Sequence, residues 1–589
     1  MKKQARAIAN NDIVYLWWTY SEKIPDCLGF TVRRSIKGKP AQALPAFVGF
    51  NPPTKTQLTD TPRHDTDEWP VQAYQWKDLF VPEETDVSYE IVPLAGAPGH
   101  LSELEQLKVK TRLTRASDDF GPIRVVFNRG IISTQALAKK LPKGPSGMPK
   151  ADSLRAHIEN PNDAIRKMLG GEAIDTLPSL LRRARKEKGT CFLALYELTD
   201  QELIAEIEKT KGHVRLILSN ADSSKEETGT DGKKHTIKLY DETNRATRKR
   251  LAKSLGTALH DRLLPKGNYI GHNKFVVYVD KAGTAKTVLT GSTNWTATGL
   301  CAQSNNTIII DDAKIARHYL DYWNLLLADA AKQAPPLRTA DAKALKEVTL
   351  GSSAGKLQVW FSPNTKNKTK PAKNPVTPPD MKVVFDRIRG AKAGVLFLVF
   401  SPGSPSILSE IKLMAEQRTK ANKRFFVRGA ISDERASGEF ATHVYNDSAL
   451  ERPNLLVTGI GGIPDHFSFW QREIAKLGHA VIHDKIIVID PFTDNCCVIT
   501  GSHNQGFKAS YSNDENFVVL SGNRAVAEAY TAHVLDVVNH YNWRYRLLQD
   551  KKQHKTTQFV KLEHGDIWQD KYFEGDFLAS RDKFFFPGR

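Results

Sequence analysis

Two stretches of the chain carry the same chemistry-bearing residues in the same order. His272, Lys274, Gly291, Ser292 and Asn294 form one set, and His483, Lys485, Gly501, Ser502 and Asn504 the other, offset by 211 positions from histidine to histidine. An imidazole can serve as nucleophile, base or acid near neutral pH. Lysine ammonium groups hold phosphoryl oxygens as point charges, and Asn amides and Ser hydroxyls add hydrogen bonds. Alone, a histidine on an apolar strand is more often a core residue, and Gly-Ser-x-Asn is an ordinary turn. Two sets in matched order, with Lys-to-Gly spacings of 17 and 16, point instead to a duplicated site.

The elements that position these residues are legible around them. A β-branched run follows each lysine, Phe275–Val279 in the first set and Ile486–Ile489 in the second. A polar turn and a second apolar run then lead back to the Gly-Ser pair, so each set reads as a β-hairpin. Alternation along a strand puts each His and Lys on one face, where the returning Asn and Ser can converge on them.

On these residues the chain resembles the phospholipase D superfamily, whose signature is a duplicated His-x-Lys-x4-Asp motif with Gly-Ser-x-Asn downstream. The resemblance covers roughly 185–335 and 355–548. The second copy fits, with Asp490 in place, whereas in the first Val279 holds the signature position and Asp280 follows it. In this family that aspartate is mainly structural. The resemblance implies an α/β fold of two pseudo-repeated lobes packed with the active site at their seam. It also implies phosphodiester cleavage through a covalent phosphohistidine, later released by water or another alcohol, with no cofactor and no metal. Lys274, Lys485, Asn294, Asn504, Ser292 and Ser502 would hold the phosphoryl oxygens.

The halves differ at one informative offset. Thirteen residues after Ser502 lies Glu515, where family members place a carboxylate against the catalytic histidine; thirteen after Ser292 lies Asn305. A carboxylate favours imidazolium, whereas an amide only orients. The expectation is therefore a neutral nucleophile at His272 and a protonated acid at His483, paired with Glu515. This amide-then-carboxylate asymmetry also resembles tyrosyl-DNA phosphodiesterases, which lack the signature aspartates.

At 589 residues the chain is long enough for three or four domain-sized units. A net charge of +18 favours anionic partners, nucleic acid or acidic lipid. Cysteines at 27, 191, 301, 496 and 497 lack disulfide or metal-ligand spacing, as in a reducing compartment. Neither a signal peptide nor a membrane-length apolar run is evident, so a cytoplasmic protein is expected.

Residues 1–115 read as an antiparallel β-sandwich of immunoglobulin or fibronectin type. Its strands fall at Ile13–Tyr20, Phe30–Arg34, Phe47–Phe50, Ala73–Lys77, Ser88–Val92 and Leu107–Leu113, with Trp17, Trp18 and Trp76 as core. Lobe 1 spans 116–335, with helices at Gln201–Lys209, Asn244–Leu255 and Ala313–Ala328. Residues 336–355 read as a linker, lobe 2 spans 356–548, and 549–589 form a tail. The arginines of Asn244–Leu255 could touch a polyanion, and Lys366, Lys368, Lys370 and Lys373 make Asn364–Pro379 a basic, mobile loop.

Three functions fit. The first is an intracellular nuclease, possible in antiviral defence, favoured by charge and by the absence of an export signal. The second is a phospholipase D or transphosphatidylase, which would need an apolar rim for the membrane interface. The third is a non-catalytic polyanion binder.

Overall fold

In a computed structural model the described residues are 1–46, 48–51, 64–129, 151–221, 223–228, 234–239, 242–265, 269–329, 333–343, 345–351, 354–371, 373–421, 425–432, 455–459, 482–552, 561–574 and 577–587. Two large mixed sheets dominate. The first runs Ile123–Phe127, Asn306–Ile310, Ala285–Gly291, Lys274–Val279, Thr190–Leu195, Val214–Ala221, Leu259–Leu264. The second begins with Val348–Thr349 and continues Lys356–Ser362, Glu515–Ser521, Cys497–Gly501, Lys485–Ile489, Gly394–Val399, Phe426–Ile431, Leu455–Gly459. Beyond Val348–Thr349 the strands correspond one to one, in order and in pairing sense.

In both sheets the histidine-lysine strand is central, and every residue of Lys274–Val279 and Lys485–Ile489 is buried. Runs this apolar belong to strands covered on both faces. Helices supply the cover: Gln201–Lys209 and Ile407–Lys420 each cross between two parallel strands. The Asp200 side chain caps the former by accepting the amides of Glu202 and Leu203.

Two longer helices join the halves. Ala313–Ala328 follows the first sheet, yet its Tyr322 stacks on Phe361 of the second at 3.9 Å. Arg524–Lys552 follows the second sheet and sets Tyr530 edge-on against Phe127 of the first at 5.0 Å. One buried core therefore runs through both halves.

The N-terminal region forms two larger antiparallel sheets, besides the short pairing of Pro45–Ala46 with His64–Asp65. Lys3–Ala9, Val14–Tyr20 and Gln75–Asp78 make one, and Asp86–Ala97 pairs with Gly29–Ile36 in the other. Trp18 and Tyr20 of one sheet pack on Phe30 of the other at 5.3 and 5.8 Å. Trp17 and Trp18 are core, as the sequence implied, while Trp76 is only half-buried. Strand Lys3–Ala9 was not anticipated. Of the expected strand Phe47–Phe50, Val48–Phe50 is not strand and Phe47 lies outside the described residues.

Two other segments differ from expectation. Where the supposed linker begins, Pro335 and Pro336 open a helix, Pro335–Asp341, a first-turn position that suits proline. Buried Arg338 then ties that helix to the carbonyls of Thr365, Asn367 and Tyr511. The tail docks on the N-terminal sheets: Trp568 Nε1 donates to Cys27 O at 2.8 Å and Phe585 stacks on Trp17 at 5.1 Å. Among the described residues no helix is long and apolar enough to cross a membrane.

Candidate active site

The two hairpins meet at the seam, and short backbone bridges decide which side chains face each other. Gly271 bridges Asp514, and Ser304 bridges Ile482. The next residue along each bridged strand is then forced into opposition across the seam, His272 against Glu515 and Asn305 against His483. His272 Nδ1 lies 3.3 Å from Glu515 Oε1, and His483 Nδ1 lies 2.9 Å from Asn305 Oδ1. The two imidazole rings are 6.4 Å apart, close enough for both to reach one phosphorus atom.

This crossing corrects the pairing of Glu515 with His483 expected from the sequence. The offset from Gly-Ser-x-Asn locates the carboxylate correctly, but the bridges deliver it to the histidine of the opposite half.

Each lysine folds back onto its own histidine. Lys274 Nζ donates to His272 O at 2.8 Å, and Lys485 Nζ to His483 O at 2.6 Å. Each ammonium also lies over an aromatic ring from the end of the neighbouring strand, Tyr196 at 5.2 Å and Phe400 at 5.3 Å. The same rings abut the imidazoles, Tyr196 at 4.8 Å from His272 and Phe400 at 5.2 Å from His483.

Asn294 and Asn504 complete the ring of polar groups, and the Oδ1 of each is buried without a hydrogen-bond partner. Buried polar atoms of this kind are expensive unless a ligand or water meets them. Asn294 Nδ2 donates to Glu197 Oε2 at 2.7 Å, and the backbone N–H of Asn504 donates to Glu515 Oε2 at 3.1 Å.

The serines do something other than the sequence implied. Ser292 and Ser502 are fully buried, and their hydroxyls accept the backbone N–H of Asn306 and Asn516 at 3.1 and 3.0 Å. Ser292 Oγ also donates to Asn305 Oδ1 at 2.8 Å. They anchor the neighbouring strand rather than face the cleft. The preceding glycines permit that close approach, since a Cβ on Gly291 or Gly501 would collide with the carbonyl oxygen of Asn306 or Asn516.

Asp490 is a scaffold residue, its carboxylate accepting the backbone N–H groups of Lys392, Ala393 and Gly394 at 2.7, 2.7 and 2.9 Å. In the first half Asp280 instead closes its own hairpin turn by accepting Ala282 and Thr284 N–H.

Sequence reasoning missed the middle residue of each His-x-Lys. Asn273 Oδ1 accepts from Asn516 Nδ2, and Asp484 Oδ1 from Asn306 Nδ2, both at 2.9 Å. Thr290 and Tyr319 in turn donate to Asn516 Oδ1, as Thr500 and Tyr530 do to Asn306 Oδ1. Asn306 and Asn516 each lie 14 residues after the motif serine, a repeated offset that could have revealed them. Glu197, Tyr196 and Phe400 carry no such motif and emerge only from the fold.

Electrostatics set the resting state. His272 is 4% and His483 5% exposed. Burial, reinforced by Lys274 and only partly opposed by Glu515, pushes His272 down to about 4. Burial, with Lys485, Lys274 and His272, drives His483 well below the ordinary histidine range. Both rings are therefore neutral before an anion arrives. Burial alone would raise the Glu515 carboxyl, but His272, His503 and Asn513 beside it bring it down to about 2. Burial lowers Lys274 to about 7 against the pull of Glu515 and Glu197, and drives Lys485 well below the usual lysine range. A pair of poised imidazoles, two desolvated ammonium groups and unmet amide atoms is an arrangement able to bind and attack a phosphoryl group.

Residues 179–326 match the family model described as cardiolipin synthase, phospholipase D-like domain. Those residues are a phospholipase D-like domain, of the superfamily that the sequence resembles. The chain carries a phosphodiester-acting domain of that superfamily within a mixed α/β fold of several sheets. Among solved structures, it is similar to phosphatidylserine synthase from Haemophilus influenzae Rd KW20, with 13% identity, TM-score 0.39, and coverage of 64% of this chain and 85% of that one. It is also similar to the phospholipase D family member Nuc from Salmonella typhimurium, with 21% identity, TM-score 0.21, and coverage of 31% and 94%. NucT from Helicobacter pylori aligns at 18% identity and TM-score 0.20, over 27% of this chain and 89% of that one. No curated protein matches the sequence.

Proposed function

We propose that the two sheets are repeated phospholipase D-like lobes whose seam is a phosphodiesterase site, and that the substrate is nucleic acid. The observation that carries this reading is the pair of imidazoles 6.4 Å apart with crossed partners, one a carboxylate and one an amide. In the first step His272 Nε2 attacks phosphorus, an N–P bond forms, and the P–O bond to the leaving oxygen breaks. His483, protonated when the anionic substrate offsets the nearby lysines, gives that oxygen its proton. In the second step water attacks phosphorus, His483 takes the water proton, and the N–P bond breaks to regenerate neutral His272. Lys274, Lys485, Asn294 and Asn504 hold the non-bridging oxygens.

The asymmetry of the partners supports this division of labour. Bond formation at His272 makes its ring cationic, and Glu515 lies where that charge develops. His483, faced by an amide and two ammonium groups, gives up a proton readily.

The nucleic-acid assignment draws support from charge that no carboxylate neutralises. On the helix Arg245–Leu255, Arg245, Arg248 and Arg250 pair with Glu242, Asp261 and Glu208, so that face is largely compensated. Lys366, Lys373 and Lys508 are exposed and make no ion pair among the described residues. Lys508 lies four residues beyond Asn504 on the helix Phe507–Ser512, and residues flanking Lys366 and Lys373 are fastened to that helix through Asn364 N to Ser510 O at 3.0 Å and Tyr511 Oη to Val376 O at 2.8 Å. Repeated phosphates suit such a rim. Five buried, unpaired cysteines accord with a reducing cytoplasmic setting, where a nuclease could serve in antiviral defence.

The phospholipid reading is favoured by Val376, 75% exposed beside these lysines. Purified protein offered plasmid DNA, single-stranded DNA, RNA and phospholipid vesicles, with EDTA present, separates the two. Nucleic-acid cleavage lost in His272→Ala and His483→Ala is expected; lipid turnover alone would overturn the substrate assignment.

A further inference from the structure

The two halves of the site differ at a carboxylate that no motif contains. Leu195 pairs with Lys274 and Val399 with Lys485, so the residues that follow correspond: Tyr196 with Phe400, and Glu197 with Ser401. The aromatic rings perform the same packing in both halves, but Glu197 has only a serine as its counterpart. Its backbone is held in place beside Gly-Ser-x-Asn, since Trp295 N donates to Glu197 O at 3.1 Å and Leu198 bridges Trp295. Its carboxylate accepts the Asn294 amide at 2.7 Å.

That hydrogen bond has two consequences. A carboxylate can only accept, so it fixes which end of the Asn294 amide is nitrogen and leaves one N–H free to turn towards a phosphoryl oxygen. It also adds a fixed negative charge to those of Glu515 and, behind Lys485, Asp484, in a cavity that holds two buried ammonium groups.

We propose that Glu197 is a positioning residue of the phosphate site, orienting the Asn294 amide and supplying the negative charge that balances the Lys274 and Lys485 ammonium groups. This rests on the phosphodiester-binding reading of the site, not on the identity of the substrate. Among the described residues the charged and titratable groups around the lysines enter the balance: His272 on the Lys274 strand, His483 and Asp484 on the Lys485 strand, Glu515 from the strand beyond with His503 beside it, and Glu197 with Tyr196 from the end of Thr190–Leu195. Burial depresses His272 to about 4 and drives His483 well below the ordinary histidine range, so neither ring competes for the proton. Burial lowers both lysines and Glu197 helps to keep them protonated, while His503 beside Glu515 is raised, against its burial, by Asp380.

The test is binding of tungstate, a tetrahedral oxyanion, to the full chain by calorimetry from pH 6 to 9, for the wild type, Glu197→Gln, Glu197→Asp and Glu197→Ser, the last copying Ser401. At pH 6, with Lys274 protonated, Glu197→Gln should bind at least as tightly as the wild type because a repelling charge is gone. Its affinity should then fall about one pH unit earlier, leaving it roughly tenfold weaker near pH 8.5, so that the two curves cross. Glu197→Asp should restore the wild-type curve in part, and Glu197→Ser should cross as Gln does. Equal weakening at every pH, or no change at any pH, would overturn the proposal. Crossing curves in a protein that cleaves no nucleic acid would uphold Glu197 and reject the nuclease reading; a wild type that binds no tungstate at any pH would reject both.

Discussion

Replacing Glu515 by Gln isolates the charge that the crossed geometry aims at His272. In the phosphohistidine the imidazole is cationic, and the carboxylate oxygen lies 3.3 Å from its Nδ1. With an effective dielectric of about 20, a unit pair at this separation is worth about 5 kcal/mol. Glutamine keeps an acceptor for the ring N–H, which returns roughly 1–2 kcal/mol. The net loss is then about 3–4 kcal/mol, a fall of roughly 10²- to 10³-fold in kcat. Single-turnover cleavage of a thymidine p-nitrophenyl phosphodiester is the appropriate assay, because the activated leaving group needs little help from His483 and reports the attack step directly. Denaturation midpoints of the variant and wild type control for folding, since Glu515 also accepts from Asn504 N and Asn513 Nδ2. A well-folded Glu515→Gln variant within about fivefold of wild type would mean that no cation develops beside this carboxylate, and the assignment of His272 as nucleophile would fail.

Asn305→Asp would give His483 a carboxylate at the position now 2.9 Å from its Nδ1, raising its proton affinity and weakening it as an acid. The rate should fall about tenfold or more for an alkyl leaving group and little for p-nitrophenol, which a leaving-group series would measure. Stability should depend on pH through His272: the unfolded ring takes a proton below about 6.5, whereas the folded one resists until about 4. The unfolded state thus binds more protons in that window, and stability should fall by about 3 kcal/mol as pH drops through it. Urea denaturation should show this slope reduced in His272→Gln. Replacing Lys366, Lys373 and Lys508 together by Ala should lower the slope of log affinity against log salt for single-stranded DNA by about 2, at roughly 0.7 per phosphate contact, without lowering kcat. Activity should survive EDTA, because the positive charge at the site comes from Lys274 and Lys485.

Much of the site is readable from the chain because duplication repeats residue types that only chemistry or coincidence would place twice. The paired His, Lys and Asn residues converge as the hairpin reading requires, and Glu515 and Asn305 lie beside the imidazoles. Their partners were not legible, because counting along one repeat assumes that a residue acts within its own half. The bridges Gly271–Asp514 and Ser304–Ile482 are tertiary and reverse the pairing. Ser292 and Ser502 looked available for phosphate because burial of a hydroxyl leaves no trace in sequence. Pro335-Pro336 signals either a linker or a helix start, and only the carbonyls that Arg338 reaches decide between them. The helices Gln201–Lys209 and Ala313–Ala328 were legible to the residue, because their apolar periodicity is strong. Lys3–Ala9 was not, since alternating alanines and charges are held as a strand chiefly by pairing with Val14–Tyr20.

The central claim is that one phosphorus is shared by two imidazoles, with His272 making the bond. Rapid alkaline quench of the enzyme during turnover, followed by peptide mapping for the acid-labile N–P adduct, tests it directly. The adduct should fall on His272 and accumulate in His483→Ala, which lacks the base for release. An adduct on His483, or steady turnover with neither histidine modified, would contradict the account.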